Sequence, residues 1–404
     1  MRRTRCAGPA LLLIFCIVAS YLLRPAHYRD NAWQRERDLA CGEHGVNFTI
    51  ALFTDLHFGE TEAGDARSKV IMEGILGLET GIDLVVFGGD QVSGWSVWEA
   101  LHEKHAEALS VVAGHGIPFA TIFGNHDDQP WDPQPLVLYQ WAPVLLAAAC
   151  LALASTLYWP GYRRWACSAG LTVAAMAWIF WEVYPSTQAR ESLLHHEKTR
   201  HDALSRTQQG DYFLPVTCQQ ERFLLFFLDS GGGRIPEGLT SGQSDWLAKV
   251  SRRHASAPSV LFAHIPPREF GRTSSLFRCW GTQEEPTSAA GIETMASSLF
   301  HAGVKAVFVG HDHGNSWCCV PKHAELVQQP ALCYGRHTGQ GGYGDLERGA
   351  RLIRLSFTGG VASVDTWLRL EGGHKVEEGV LATFIIQHPQ PVIRHRVTDA
   401  SMAE

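Results

Sequence analysis

The sequence predicts an α/β fold built on a largely parallel sheet covered on both faces. Two observations carry this. Short, uninterrupted apolar runs recur along the 404-residue chain and alternate with helix-length segments. Such runs, apolar at every position, suit strands that are buried on both sides. Hydrophobic residues make up 45% of the chain and charged residues only 19%, which points to some apolar sequence facing something other than water. The formal net charge of −7 argues against nucleic acid as the main partner, since that role calls for a basic surface.

The elements follow in order. Ile50-Ala51-Leu52-Phe53 reads as a buried strand ending at Thr54-Asp55, with a helix expected over 66–78. Leu84-Val85-Val86-Phe87 is a second strand, ending at Gly88-Gly89-Asp90, followed by a helix over 96–113. A third strand over 119–123 ends at Gly124-Asn125-His126-Asp127. Further strands are expected at 223–228, 260–263 and 306–309, and helices at 189–205, 241–253 and 288–300. The stretches 351–357 and 380–386 read as β-rich.

Two segments depart from this pattern. Arg2, Arg3 and Arg5 precede an uncharged run, so 1–24 reads as a signal peptide or signal anchor, placing the following domain in the lumen or outside the cell. The sequon Asn47-Phe48-Thr49 is compatible with that, although such triplets also arise by chance. After Pro130, Pro133 and Pro135, two apolar stretches over 141–159 and 165–184 flank Pro160-Gly161-Tyr162-Arg163-Arg164. Each is long enough to cross a hydrocarbon core of ~30 Å as a helix. A membrane hairpin over 136–188 is expected, with Arg163 and Arg164 on the cytoplasmic side. A buried helical pair or a gene-model artefact are the alternatives.

Of the ten cysteines, Cys6, Cys16, Cys150 and Cys167 lie in apolar runs. The absence of a Cys-x-x-Cys pair argues against a zinc knuckle. In an oxidising compartment one of the vicinal pair Cys318–Cys319 could bridge to Cys333; the other reading is free buried thiols.

Five motifs sit where strands end: Asp55-Leu56-His57, Gly88-Gly89-Asp90, Gly124-Asn125-His126-Asp127, Ala263-His264, and Gly310-His311-Asp312-His313. Ligand sites of open α/β sheets lie beyond the carboxyl ends of strands. Glycines there let the backbone turn sharply, so that polar side chains converge. Imidazole, carboxylate and amide oxygen suit Zn, Fe or Mn, and a bridging carboxylate can hold two ions ~3.5–4 Å apart. No single motif is specific; all five in this order, each after an apolar strand, are a strong signal.

The motif series resembles the calcineurin-like metallophosphoesterase superfamily over most of 46–135 and 190–360. The run from Cys333 through Arg336-His337-Thr338-Gly339, with Gly341-Gly342-Tyr343-Gly344, is similar to a branch related to purple acid phosphatases, as is Gly124-Asn125-His126-Asp127-Asp128. The resemblance implies a four-layer α/β/β/α sandwich over 45–135 and 189–390, with the hydrophobic helical hairpin inserted. It implies two transition-metal ions: Asp55, His57 and His313 on the first, Asp90 bridging, and Asn125, His264 and His311 on the second. His126 would stabilise or protonate the leaving oxygen with Asp127 orienting it, and a hydroxide activated by both metals would attack phosphorus in line. Purple acid phosphatases carry a tyrosine ligand three residues after the bridging aspartate, where this chain has Ser93, and they lack the histidine found at His57. A tyrosinate-to-iron colour is therefore not expected, and the metals stay open among Fe, Zn and Mn.

Other residues are read both ways. Arg336 and His337 either contact substrate phosphate or form a β-turn with a surface cation. Asp229-Ser230 either borders the site or caps a turn. Asp312 is expected to point away from the metals.

The expected activity is hydrolysis of phosphoric esters, phosphomonoesters first. The alternatives are a catalytically inactive membrane-anchored scaffold on the same fold, or a small-molecule phosphodiesterase. Only the nine residues 128–136 separate the His126 loop from the apolar hairpin, a span of at most ~30 Å. A membrane-proximal phosphorylated substrate, a lipid phosphate or a phosphorylated membrane protein, follows as the expected partner.

Overall fold

The apolar runs become strands whose alternate side chains serve two different cores. Ile50 and Leu52 pack into one and Ala51 and Phe53 into another; Phe223, Leu225 and Phe227 face away from Leu224 and Phe226 in the same way. A run that is apolar at every position thus satisfies the two-residue period of a strand covered on both sides.

The structure is a computed structural model that describes residues 39–41, 46–94, 100–127, 210–218, 221–233, 236–255, 257–273, 276–292, 295–322 and 329–385. The expected N-terminal segment 1–24, the hairpin 136–188 and the polar helix 189–205 lie outside the described residues. Among the described residues, no helix is long and apolar enough to cross a membrane.

The elements run β1 (Leu39–Ala40), β2 (Asn47–Phe53), α1 (Glu62–Leu78), β3 (Leu84–Gly88), α2 (Leu101–Gly114), β4 (Phe119–Ile122), β5 (Tyr212–Cys218) and β6 (Glu221–Phe227). Then come α3 (Ser241–Arg253), β7 (Ser259–Phe262), a 3-10 turn (Arg268–Arg272), β8 (Phe277–Trp280), α4 (Met295–His301) and β9 (Val304–Val309). The chain continues through β10 (Cys318–Pro321), β11 (Ala331–Tyr334), β12 (Gly349–Thr358), β13 (Val361–Leu370) and β14 (Lys375–Ile385). One sheet has the order β14-β13-β12-β2-β3-β4 and the other β1-β5-β6-β7-β9-β11-β10-β8. One core lies between the sheets, a second under α1 and α2, and a third under α3 and α4, so the layers stack α/β/β/α as expected. Across the inner core, the rings of Phe227, Phe262 and Phe308 stack along three neighbouring strands, with centroids 5.2 and 5.5 Å apart.

The parallel expectation holds for the blocks β2-β3-β4 and β6-β7-β9-β11. It fails at the flanks, where β12, β13 and β14 form an antiparallel meander on β2. Gly359 and Gly360, with φ of 61° and 78°, join β12 to β13 as a two-residue turn, and such a turn permits only antiparallel neighbours.

Local signals set the helix bounds. α1 starts at Glu62, four residues earlier than expected, because the Thr61 hydroxyl accepts the Gly64 N–H at 3.0 Å and acidic residues fill the first turn. α3 spans the expected range and opens with a Thr240–Gln243 capping box. The helix expected over 288–300 begins only at Met295. Upstream, the N–H groups of Ala290 and Ile292 are donated to Pro266 and Leu239 carbonyls at 2.9 and 3.1 Å, so that backbone is committed to neighbouring loops.

Disulfides tie strands together: Cys41–Cys218 joins the β1 end to β5, Cys279–Cys319 joins β8 to β10, and Cys318–Cys333 joins β10 to β11. The bridge from the vicinal pair to Cys333 is present, and the second vicinal cysteine has its own partner on the opposite side.

One buried charge links the two sheets. Arg351 on β12 is fully buried and donates to the Tyr334 and Ser316 carbonyls, to Thr366 Oγ1 at 3.3 Å and to Glu377 at 3.1 Å. Burial lowers its pKa to about 10 against the opposing pull of Glu377. Arg351→Ala takes the guanidinium from Glu377 Oε2 and from two buried carbonyls, and is expected to cost about 3–5 kcal/mol. Denaturant unfolding of the variant against wild type measures this, and an unchanged midpoint would show that the link carries no stability.

Candidate metal centre

The centre is assembled from five strand ends. β2 delivers Asp55 and His57, β3 delivers Asp90, and β4 delivers Asn125 and His126; β7 delivers His264, and β9 delivers His311 and His313. Six non-glycine residues among those described have positive φ, and four belong here: Asp55 (57°), His57 (51°), Asp90 (52°) and His311 (75°). A left-handed conformation costs a non-glycine residue roughly 1–2 kcal/mol. Its concentration at these strand ends marks a site where side-chain direction outweighs backbone comfort. Gly89 shows how close the approach is: a Cβ there would lie 2.3 Å from His264 Nδ1.

All seven expected ligands are brought together. Donor atoms of Asp55, His57 and His313 lie within 4.8 Å of one another, as do those of Asp90, His264 and His311. Asp90 Oδ2 faces both groups, 3.7 Å from His57 Nε2 and 3.1 Å from His264 Nε2. Asn125 Oδ1 lies 3.2 Å from His264 Nε2. A third acidic group, Glu62, Asp65 and Glu107, already holds a cation, because Lys104 Nζ reaches all three carboxylates at 2.8, 2.7 and 3.0 Å.

The outer nitrogens show whether the inner ones fit a metal. His264 donates Nδ1–H to the Gly88 carbonyl at 2.9 Å, and His313 Nδ1 lies 2.9 Å from the Tyr343 carbonyl. His57 Nδ1 meets Ser93 Oγ at 2.9 Å, and Ser93 in turn donates to Glu60 at 2.7 Å, so the serine accepts from the ring. With the outer nitrogens protonated, three Nε2 lone pairs point inward at two buried carboxylates. Nε2 of His57 and Nε2 of His313 stand 3.2 Å apart. Converging lone pairs and negative charge repel unless a cation lies between them, and a fixed outer hydrogen bond is the usual companion of a metal-binding histidine. The residues fit metal ions.

The electrostatics agree. Burial opposes ionisation of Asp55 and Asp90, yet the histidines around them hold both well below the usual carboxylate range. Burial also opposes a charged His264, but Asp90 and Asp55 outweigh it and lift its pKa to about 10. His57 is pushed down to about 3 by burial. Carboxylate charge that attracts a proton this strongly also attracts a metal ion.

The expected catalytic and substrate residues divide. His126 is half-buried, its ring centroid 4.9 Å from that of His57, and its Nδ1 has no hydrogen-bond partner among the described residues. Asp127 does not orient it. The Asp127 carboxylate accepts backbone N–H groups of Asp90, Gly124 and Val92 at 2.9, 2.8 and 3.1 Å, and so braces the loops that carry Asp90 and Asn125. Burial and the nearby Asp90 raise its pKa to about 8.

Arg336 is not a surface cation. It is buried and donates to the Glu347 carbonyl at 2.7 Å and to Ser316 Oγ at 3.2 Å. His337 is buried beside the centre, its ring 3.9 Å from that of His313, with Nε2 on the Gly341 carbonyl at 3.0 Å. Ser230 Oγ caps the turn into β7's end by accepting from His264 and Ile265 N–H at 3.2 and 2.8 Å. Asp312 points away from the ligands, to Tyr334 OH and the Ser288 N–H.

Glu60 and Tyr343 support ligands but were not expected to. Glu60 lies three residues after His57, a proximity that could have flagged it, whereas Tyr343 is separated from His313 by 30 positions.

A model of the calcineurin-like phosphoesterase family matches residues 48–315, more than half of the chain, and the chain belongs to that family. Its relatives are purple acid phosphatase-like. "Probable inactive purple acid phosphatase 14" of Arabidopsis thaliana is 31% identical over 80% of this chain and 80% of its own length. "Probable inactive purple acid phosphatase 29" of the same plant is 26% identical over 81% of this chain and 83% of its own. "Phosphatase DCR2" of Saccharomyces cerevisiae is 24% identical over 81% of this chain and 54% of its own.

Ser93→Ala removes the acceptor that sets the His57 ring and is expected to weaken metal affinity by about tenfold or more. Competition with a chelator measures this; wild-type affinity in the variant would mean that packing alone orients His57.

Proposed function

We propose that this protein is a metal-dependent hydrolase of phosphoric esters, phosphomonoesters first among its substrates. One observation carries the reading: the full set of Asp55, His57, His313, Asp90, His264, His311 and Asn125 converges, with inward lone pairs fixed from outside. Relatives are named both as inactive and as phosphatase; the complete donor set of this chain favours activity. Two bound transition metals would supply Lewis acidity toward phosphoryl oxygens and a nucleophile at neutral pH.

The protein's own groups then have separate tasks. Asp55, His57 and His313 would hold one ion and Asn125, His264 and His311 the other, with Asp90 between them. Asp127 keeps Asp90 and Asn125 in register through its three backbone hydrogen bonds. His126 stands beside the donors, its ring 4.9 Å from that of His57, and would give a proton to the departing oxygen.

The three disulfides support an oxidising compartment, in line with a lumenal or extracellular domain behind an N-terminal signal or anchor. If 136–188 enters a bilayer, the short link after Asp127 keeps the centre near the membrane surface and favours a membrane-proximal substrate.

Purified wild-type protein is expected to hold about two transition-metal equivalents and to hydrolyse an aryl phosphate. Asp90→Ala is expected to lose at least roughly 10²–10³-fold in rate, the cost of one lost transition-state contact. Metal-free, inactive protein that stays inactive after addition of Mn, Zn or Fe would overturn the enzyme reading and leave the binding scaffold.

His126→Ala is expected to keep its metals and lose about 10²-fold or more on an alkyl phosphate. The loss should be smaller on a nitrophenyl phosphate, whose leaving group needs no proton. Equal losses on both esters would remove His126 from the proton-donor role.

A further inference from the structure

The ligand histidines are not supported alike. His264 is enclosed by protein, fully buried, and its ring is fixed by the Gly88 carbonyl. His313 instead lies under a surface loop, and one residue of that loop touches it three ways. The Tyr343 ring stacks on the His313 ring, with centroids 4.0 Å apart and planes 14° from parallel. The Tyr343 carbonyl lies 2.9 Å from His313 Nδ1 and the Tyr343 N–H 3.2 Å from the same nitrogen, so the Tyr343 backbone engages the outer ring nitrogen from both of its polar groups. The Tyr343 hydroxyl accepts the His313 backbone N–H at 3.3 Å and reaches Glu285 Oε2 at 3.0 Å.

Glu285 closes the clamp from the other side. Its second oxygen accepts the N–H of Gly314, the residue after the ligand. The loop is held against the rings by its own contacts: Gly342 donates to Glu60 at 2.9 Å, and His337 Nε2 lies 3.0 Å from the Gly341 carbonyl. A Cβ at Gly342, where φ is +75°, would lie 2.4 Å from His313 Cε1 and 2.9 Å from His57 Cδ2, so only glycine allows this approach. Tyr343 remains 53% exposed, yet both ends of its side chain are engaged. An exposed tyrosine gains little from burial, so a ring held this precisely points to a role in aligning what lies beneath it.

We propose that Tyr343, anchored by Glu285, is a positioning residue for the metal ligand His313. The inference rests on the metal-centre reading above. The Tyr343 backbone holds Nδ1 and so aims Nε2 inward, the stack sets the ring plane, and the hydroxyl fixes the turn that carries the ligand. The ring stack and the backbone contacts fall on His313, and the other group is touched only through the Tyr343 hydroxyl at 3.5 Å from the His311 carbonyl, so the loss of the clamp falls chiefly on one of two ions.

The test uses the full-length protein and Zn²⁺, with a chromophoric chelator as competitor. Wild type is expected to take up two equivalents. Tyr343→Ala is expected to weaken one equivalent by about 10–100-fold and leave the other at wild-type affinity. The absorption spectrum of the Co²⁺-loaded variant is expected to change for one ion only. Tyr343→Phe keeps the stack and the carbonyl and is expected to fall between wild type and Tyr343→Ala. Glu285→Gln should match it, with the double variant no weaker than the weaker single one, since both remove the same link.

Wild-type affinity for both equivalents in Tyr343→Ala, or equal weakening of both, would overturn the proposal while leaving the metal centre standing. Should Tyr343→Ala not fold, wild-type affinity in both Tyr343→Phe and Glu285→Gln overturns it. A wild type that binds no Zn²⁺ removes the metal-centre reading and this inference together.

Discussion

Two buried carboxylates, Asp55 and Asp90, within a ring of inward-facing imidazoles form the constraint on which the rest of the molecule depends. Such a group is unfavourable in a protein interior unless positive charge neutralises it. The left-handed backbone at Asp55, His57, Asp90 and His311 and the fit of Gly89 against His264 both serve to bring these side chains to one point. A chain that kept those features without binding a cation would carry their cost with no return in stability.

The sandwich makes this convergence possible. Both sheets contribute strand ends to the centre, so their relative position must be fixed closely. The inner core does most of that, through side chains that interdigitate between the sheets. Arg351 adds a polar link beneath the site, running from β12 to the carbonyls of Tyr334 and Ser316. Tyr334 leads into the Arg336–His337 loop, and Ser316 follows the His311–His313 turn. The buried guanidinium of Arg336 joins the same region through Ser316. These arginines act inside the scaffold, behind the metal ligands.

Much of the site was legible because each ligand belongs to a short segment at a strand end. An apolar run, a small residue, and then a carboxylate or imidazole is a local pattern, and five of them in sequence define a centre without knowledge of the fold. The strand interiors were legible for the same reason. Where the expectation failed, the deciding contact was not local. The 288–292 segment has helical composition, but its backbone pairs with loops at Pro266 and Leu239. Asp127 follows His126 directly, which suggests a partnership, yet its oxygens are taken by the N–H groups of Asp90, Val92 and Gly124.

The amino-acid sequence by itself determined the class of fold, the identity and order of the candidate ligands, and the departure at Ser93, since all of these follow from residue type and strand-scale periodicity. The tertiary structure decided what each ligand leans on. It placed Ser93 and Glu60 behind His57 and pressed Tyr343 onto His313 from 30 residues away. It also buried Arg336 and built the β12–β14 flank as an antiparallel meander beside β2. The reason is physical: a side chain's direction at a strand end is set by its own backbone, whereas its hydrogen-bond partners are set by which distant loops the packed sheets bring alongside it.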